Sequence, residues 1–188
     1  MEQSPGGVKL YRMELLATLQ RFELRLFASI FGQTEKRMVI PVARAVSRSG
    51  DGYLHALVAM LVWVLEPAKA WLFLPLLAMS LAIERPLYWL LKNSLRRPRP
   101  QEAIPGFRSL ITASDRFSFP SGHSAGAFLL STTLFLVYGS VAIPMFVWAF
   151  AVALSRILLG VHFPADTLAG AFMGSVISAG CAAALGVV

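Results

Sequence analysis

Three short stretches of this chain combine residue types able to hold an anion and attack it. They are Lys92 with Arg99-Pro100, then Pro120-Ser121-Gly122-His123, then Ser155-Arg156 with His162 and Asp166. Lys92 is followed by Arg96, Arg97 and Arg99, interrupted by Pro98 and Pro100. Arginine presents a planar fork of donors that fits phosphate oxygens, and proline stiffens the segment presenting it. Taken alone, the same cluster also fits a basic anchor at lipid headgroups. Ser121, between a proline and an apolar run, is a good helix N-cap, and Gly122 lets the backbone approach a ligand closely. Free backbone N–H groups at such a helix start favour an anion, and His123 falls in the first turn beside it.

His162 and Asp166 are four positions apart, with Pro164 placed to occupy an early helical position. If the helix begins near His162, the Asp166 carboxylate accepts from one ring nitrogen and leaves the other free to attack. A capping aspartate near an unrelated histidine is the plainer alternative. Arg156 returns to the same pocket across a turn at Gly160. His123, His162 and Asp166 also form, on paper, a two-histidine, one-carboxylate metal set. The nearby charges of Lys92, Arg99 and Arg156 argue against it, because they favour an anion over a cation.

The elements that position these residues are apolar runs. The chain has 188 residues, 56% hydrophobic and 14% charged, which is too apolar for a soluble domain. Ala70–Leu91, Gly122–Tyr138, Val141–Leu159 and Thr167–Val188 approach or exceed what crosses a hydrocarbon core of ~30 Å at ~1.5 Å per residue. Tyr53–Leu65 is a shorter run that needs help from its flanks. This predicts an all-α integral membrane bundle of about five transmembrane helices. Zero crossings and then two separate the end of the second run, the start of the third and the end of the fourth. All three motifs therefore fall on one face of the membrane.

Before these runs, residues 1–8 read as a disordered tip. Leu15, Leu19, Phe22, Leu26 and Ile30 then recur at helical spacing within Leu10–Phe31, predicting an amphipathic helix that packs on the bundle or lies on the bilayer. Gln33–Gly52 is basic and ends in the turn signal Ser49-Gly50-Asp51-Gly52. The chain thus divides into an N-terminal interfacial region, 1–50, and a membrane domain, 51–188. No cleavable signal peptide is expected, since the first fifty residues lack a short apolar core followed by small residues. The polar stretch Asn93–Pro120 is far longer than the other connections, a length that usually signals function or disorder. Cys181 is the only cysteine, which excludes an intrachain disulfide. The net charge of +7 lies beside apolar helices, so anionic lipid headgroups rather than nucleic acid are the expected partner.

Lys92-x6-Arg99-Pro100, Pro120-Ser121-Gly122-His123 and Ser155-Arg156-x5-His162-x3-Asp166 resemble the three ordered signatures of the type 2 phosphatidic acid phosphatase (PAP2) family. The likeness is complete at the signature positions and spans about residues 50–180. It implies a lipid-phosphate phosphatase in which His162 is the nucleophile, forming a phosphohistidine, and Asp166 orients it. His123 would protonate the leaving oxygen and then activate water. Lys92, Arg99 and Arg156, with Ser121 and Gly122, would bind the phosphate and stabilise its charge. The resemblance implies neither metal nor other cofactor, and a substrate of phosphatidate, phosphatidylglycerol phosphate or undecaprenyl diphosphate type.

A phosphotransferase using the same residues, or a non-catalytic lipid-phosphate carrier, are the rival expectations. A haloperoxidase of the same superfamily fits poorly with so apolar a chain. The resemblance implies a bacterial-type inner membrane with the site facing the cell exterior; the basic N-terminus pulls the other way. His55 reads as an interfacial helix residue. Glu84 and Arg85, inside an apolar run, read as a structural ion pair or as a polar path below the pocket. Trp63, Trp71, Trp89 and Trp148 read as interfacial or lipid-facing anchors.

Overall fold

The computed structural model describes residues 5–187, with side chains from Ala17 onward. Every regular element among them is helical. The expected tip lies outside the described residues at 1–4, but residues 5–8 already belong to helix α1, Pro5–Phe31. The amphipathic position Leu15 has no described side chain. A short 3-10 turn leads into α2, Val39–Ser49, followed by α3, Tyr53–Leu65, and α4, Pro67–Leu95. The one-turn α5, Pro100–Ala103, interrupts the long polar stretch. Then come α6, Gly122–Tyr138, α7, Ile143–Leu158, and α8, Pro164–Ala184.

Two expected apolar runs coincide with α3 and α6 to the residue. Helix α2 was not anticipated. Val39, Ala43 and Val46 recur at helical spacing on the face that packs against α7, a local pattern present beside the charges of Arg44 and Arg48. Three helical stretches among the described residues are long and apolar enough to cross a membrane: Pro67–Ala103, Gly122–Leu158 and Pro164–Ala184. The second doubles back at Gly139, whose φ of +66° is one that glycine adopts without strain. Its two halves, α6 and α7, run side by side. Ser131 Oγ donates to the Met145 carbonyl at 2.9 Å, and the Phe128 ring stands 4.9 Å from that of Phe150. Tyr53–Leu65 is apolar but shorter than these stretches.

The core is continuous from α3 through α4 to α6, carried by Val62, Phe73, Leu77, Leu129 and Leu130. A second cluster of Phe27, Ile157 and Phe163, flanked by Phe31 and Phe107, fastens α1 to the ends of α7 and α8. Large apolar side chains cover the outside, including Trp63, Trp71, Trp89, Phe150, Leu168 and Phe172. A hydrocarbon surround accepts such a surface where water would not. Trp148 departs from expectation: it is partly buried and donates its indole N–H to Ser49 Oγ at 2.9 Å. The expected pair inside α4 forms, the exposed Arg85 guanidinium holding the fully buried Glu84 carboxylate.

Helices α6 and α8 make the tightest contact because α8 has glycines where α6 crosses it. A Cβ built on Gly174 would lie 2.1 Å from the Ala125 carbonyl oxygen, and one on Gly170 would lie 2.3 Å from that of Ser121. Small residues at such spacing let backbones approach within a membrane. Thr133 and Ser178 add a hydroxyl hydrogen bond of 2.9 Å across the same seam. Gly174→Ala should therefore cost about 1–3 kcal/mol through overpacking, lowering the thermal transition in detergent by roughly 2–10 °C. Gly180→Ala, on the same helix with nothing within 4 Å of its Cβ, is the matched control and should not lower it. Equal transitions for the two variants would show that the seam tolerates a methyl group.

Candidate active site

The three sequence stretches converge on one polar cavity of about 590 Å³. It is lined by Arg99, Gly122, His123, Arg156 and His162, together with Asp51, Tyr88 and Asp115. The residues arrive from separate elements. Lys92 is in the last turns of α4, and Arg99 immediately precedes α5. Ser121 caps α6, its hydroxyl accepting the Ser124 N–H at 3.4 Å. Gly122 is needed for close approach, since a Cβ there would meet the Tyr88 ring at 2.9 Å. Arg156 occupies the last turn of α7. The chain then reverses at Gly160, with φ +72°, and brings His162 back beside it.

Helix α8 begins at Pro164, so His162 belongs to the loop before it rather than to its first turn. This corrects the expected helical relation between His162 and Asp166. Asp166 is fully buried, and its Oδ2 accepts the Phe163 N–H at 2.7 Å, capping α8 from within its first turn. The carboxylate also accepts from the Ser118 hydroxyl, and Oδ1 accepts from Arg97 Nη1 at 2.7 Å. His162 Nδ1 stands 3.7 Å from Oδ2, which is ion-pair range but beyond a hydrogen bond. The expected partners thus meet, with the carboxylate held chiefly by other donors. Burial of the His162 ring, helped by the Arg99 and Arg156 charges, lowers its pKa to about 4 against the opposing pull of Asp166. The imidazole is therefore neutral at physiological pH, as a nucleophile must be.

His123 acquires a carboxylate partner that sequence reading missed. Its Nε2 lies 2.6 Å from Asp51 Oδ1, in the turn between α2 and α3. The only local hint was the Gly50-Asp51-Gly52 turn signal. Gly50 makes the approach feasible, because a Cβ there would stand 3.4 Å from the His123 ring and 2.9 Å from Val152. His123 and His162 therefore each have their own carboxylate. Arg156 donates to Ser47 of α2 at 2.5 Å, so the unexpected helix α2 also positions the site. His55 lies at the cavity wall with its Nε2 2.9 Å from the Gly126 carbonyl oxygen, a helix-packing contact.

Lys92 and Arg99, two of the cations expected to hold phosphate, are paired within the protein. Lys92 Nζ donates to both Asp115 carboxylate oxygens at 2.9 Å and to the Phe117 carbonyl at 3.0 Å. The Tyr88 hydroxyl donates to Asp115 at 2.6 Å, and Arg99 donates to the same carboxylate. Lys92 and Arg99 are only 4% and 3% exposed, and unpaired buried cations would cost several kcal/mol each. Burial alone would raise the Asp115 pKa. The hydrogen bonds from Tyr88 and Lys92 and the charges of Lys92 and Arg99 outweigh it, bringing the value down to about 2. Asp115 is thus an ionised carboxylate occupying the donors that a phosphate would use.

A phosphate that used Lys92 and Arg99 would have to displace Asp115 or share these cations with it. Asp115→Asn should tighten inhibition by inorganic phosphate or vanadate by roughly tenfold, because a competing anion with charge-assisted hydrogen bonds is lost. Unchanged or weaker inhibition would mean that phosphate sits away from Lys92 and Arg99.

Residues 69–186 match the PAP2 superfamily. The chain is 31% identical over 127 residues to the bacitracin transport permease protein BcrC of Bacillus licheniformis, covering 68% of this chain and 62% of that one. It is 35% identical over 94 residues to a decaprenylphosphoryl-5-phosphoribose phosphatase of Mycobacterium tuberculosis, covering 48% and 49% of the respective lengths. The chain thus spans about half to three fifths of these relatives. A transmembrane PAP2-type phosphatidylglycerolphosphate phosphatase from Bacillus subtilis has a similar fold. The TM-score is 0.68 at 23% identity, over 97% of this chain and 96% of that one.

Proposed function

The chain belongs to the PAP2 superfamily, and on that premise we propose that it hydrolyses a membrane lipid phosphate or diphosphate through a phosphohistidine at His162. It is a multi-pass membrane protein. One observation carries the reading: a single cavity is lined by Arg99, Arg156, His123 and His162, and each of these two histidines faces its own carboxylate. Lys92 reaches the same cluster through Asp115. A carrier has no use for that pairing, whereas two-step phosphoryl transfer does.

In the first step the substrate phosphate takes the place of Asp115 on Lys92 and Arg99, with Arg156 beside them. Nδ1 of His162 faces Asp166, leaving Nε2 to donate its lone pair to phosphorus. The N–P bond forms as the bond from phosphorus to the lipid oxygen breaks, and the cations stabilise charge on the equatorial oxygens. His123 supplies a proton to the leaving oxygen. Asp51 holds its Nε2, so Nδ1 is the nitrogen that carries that proton. In the second step water attacks phosphorus, His123 takes the water proton, and the N–P bond breaks to release inorganic phosphate and free His162.

The apolar exterior suits a substrate held in the bilayer by acyl or prenyl chains, which brings only its phosphate to the cavity. Phosphatidate, phosphatidylglycerol phosphate and undecaprenyl diphosphate are the substrate types proposed. The cavity is assigned to the extracytoplasmic side on the family likeness. The name of one relative, a transport permease, favours a second reading as a lipid-phosphate carrier.

Phosphate release from that panel of lipids in detergent, with EDTA present, tests the proposal. Release that persists under chelation is the expected result. A folded protein that releases phosphate from none of them would overturn hydrolysis in favour of a phosphotransferase or a carrier.

A further inference from the structure

We propose that Glu23 and Arg97 are positioning residues that hold Asp166 for the reaction at His162, which makes helix α1 a working part of the site. The inference rests on the hydrolytic reading above. Glu23, on α1, precedes the family-matched residues 69–186, whereas Arg97 lies within them.

A row of alternating charges runs from α1 to the buried carboxylate. Arg97 Nη1 donates to Asp166 Oδ1 at 2.7 Å, while its Nη2 donates to Glu23 Oε2. The other Glu23 oxygen, Oε1, accepts the backbone N–H of Ala165 at 3.1 Å, one residue before Asp166. Glu23 thus grips both the arginine that holds the carboxylate and the backbone that carries it. The Arg97 guanidinium is also stacked 4.6 Å from the Phe163 ring centre, which restricts it to this orientation.

Such a row differs from an exposed ion pair, which is worth little because water screens it and both side chains are mobile. Here the Glu23 side chain is 17% exposed and the Asp166 side chain not at all. Helix α1 is itself fixed by Phe27, packed against Phe163 and Phe107 with ring centres 5.4 and 5.3 Å apart. The physical consequence concerns charge balance. Arg97 divides its two donors between two carboxylates, so only part of its pull falls on Asp166. Without Glu23, the whole cation draws Asp166 away from His162, across a gap that is already 3.7 Å. Without Arg97, the buried carboxylate loses its main cationic partner and turns toward Ser118 and the Phe163 N–H.

Steady-state kinetics of lipid-phosphate hydrolysis on the full chain test this, comparing wild type, Glu23→Gln, Arg97→Gln and the double variant. Glu23→Gln keeps an acceptor for the Ala165 N–H and removes only the charge. We expect kcat to fall roughly 3- to 10-fold in Glu23→Gln and roughly 10- to 100-fold in Arg97→Gln, as for sub-ångström to ångström misplacement of a reacting pair. KM should stay within about twofold in both, and the double variant should be no slower than Arg97→Gln, because the residues act in series. An unchanged kcat in Glu23→Gln overturns the inference, as does a raised KM with kcat retained. Additive losses in the double variant also overturn it. A lowered thermal transition with intact kcat would mark Glu23 as structural only and count against it equally. Should Arg97→Gln fail to fold, the Glu23→Gln split between kcat and KM still decides. Wild type that releases no phosphate would sink the hydrolytic reading and this inference together. An active wild type beside an unaffected Glu23→Gln would sink the inference alone.

Discussion

Replacing His162 with alanine should reduce kcat by roughly 10⁴-fold or more, as expected when a covalent nucleophile is removed and only binding and charge stabilisation remain. The effect should be confined to chemistry. His162 lies in the loop between α7 and α8, and no helix depends on its side chain for a cap. The variant should therefore retain the wild-type thermal transition and still bind vanadate through Lys92, Arg99 and Arg156. Retention of more than about a hundredth of wild-type kcat would sink the phosphohistidine mechanism. The same residue sets the acid limb of the pH profile. Its imidazole is neutral above a pKa of about 4 and protonates as pH falls through that value, removing the attacking lone pair. The acid limb of kcat/KM should consequently fall near pH 4, well below the ordinary histidine value of ~6.5. A limb near 6.5 that is lost with His162 would mean that the ring is more hydrated than its burial indicates.

Asp166→Asn should lower kcat by roughly 10²- to 10³-fold with little change in KM, the signature of an interaction felt in the transition state. The fully buried carboxylate lies 3.7 Å from His162 Nδ1, close enough to stabilise positive charge developing on the ring as Nε2 attacks. Asparagine removes that charge and also creates a donor conflict. One carboxylate oxygen faces Arg97, while the other faces Ser118 and the Phe163 N–H. Whichever way the amide is turned, its NH₂ group meets a donor, at a cost of about 1–3 kcal/mol. The thermal transition should therefore fall together with activity. Ser118→Ala separates the two effects, since it deletes one hydrogen bond and leaves the charge. It should keep kcat within about tenfold of wild type. If Ser118→Ala proved as slow as Asp166→Asn, the carboxylate would act through geometry alone.

Helix α1 changes how the N-terminal region is understood. Its pattern predicts an amphipathic helix that packs on the bundle or lies on the bilayer. Leu19, Phe22 and Leu26 are indeed exposed. Phe27 is buried, however, and Glu23 points inward to Arg97. One face of the helix is exposed and apolar and the other packs on the bundle, as the packed reading expects.

The sequence by itself determined what is encoded locally. The lengths of the apolar runs, the turn ending at Gly52 and the Ser121 cap placed α3 and α6 to the residue, because these signals act within one turn of the chain. Residue type and order likewise identified Lys92, Arg99, His123, Arg156, His162 and Asp166, which the structure gathers around one cavity and its bound cations. Helix α2 was legible in part, since Val39, Ala43 and Val46 recur at helical spacing, but only the fold shows that this face packs on α7, far along the chain. Tertiary structure alone decided which charges meet. Asp51 reaches His123 across 72 positions, Arg97 reaches Asp166 across 69, and Ser47 reaches Arg156 across 109. No periodicity spans such separations. Each pair is chosen by which helix ends the bundle brings to one face, and for the buried Arg156 and Asp166 also by burial that leaves few other partners. Asp115 shows the difference most directly: along the chain it is one acidic residue in a polar loop, while in the folded bundle its carboxylate bridges Lys92 and Arg99.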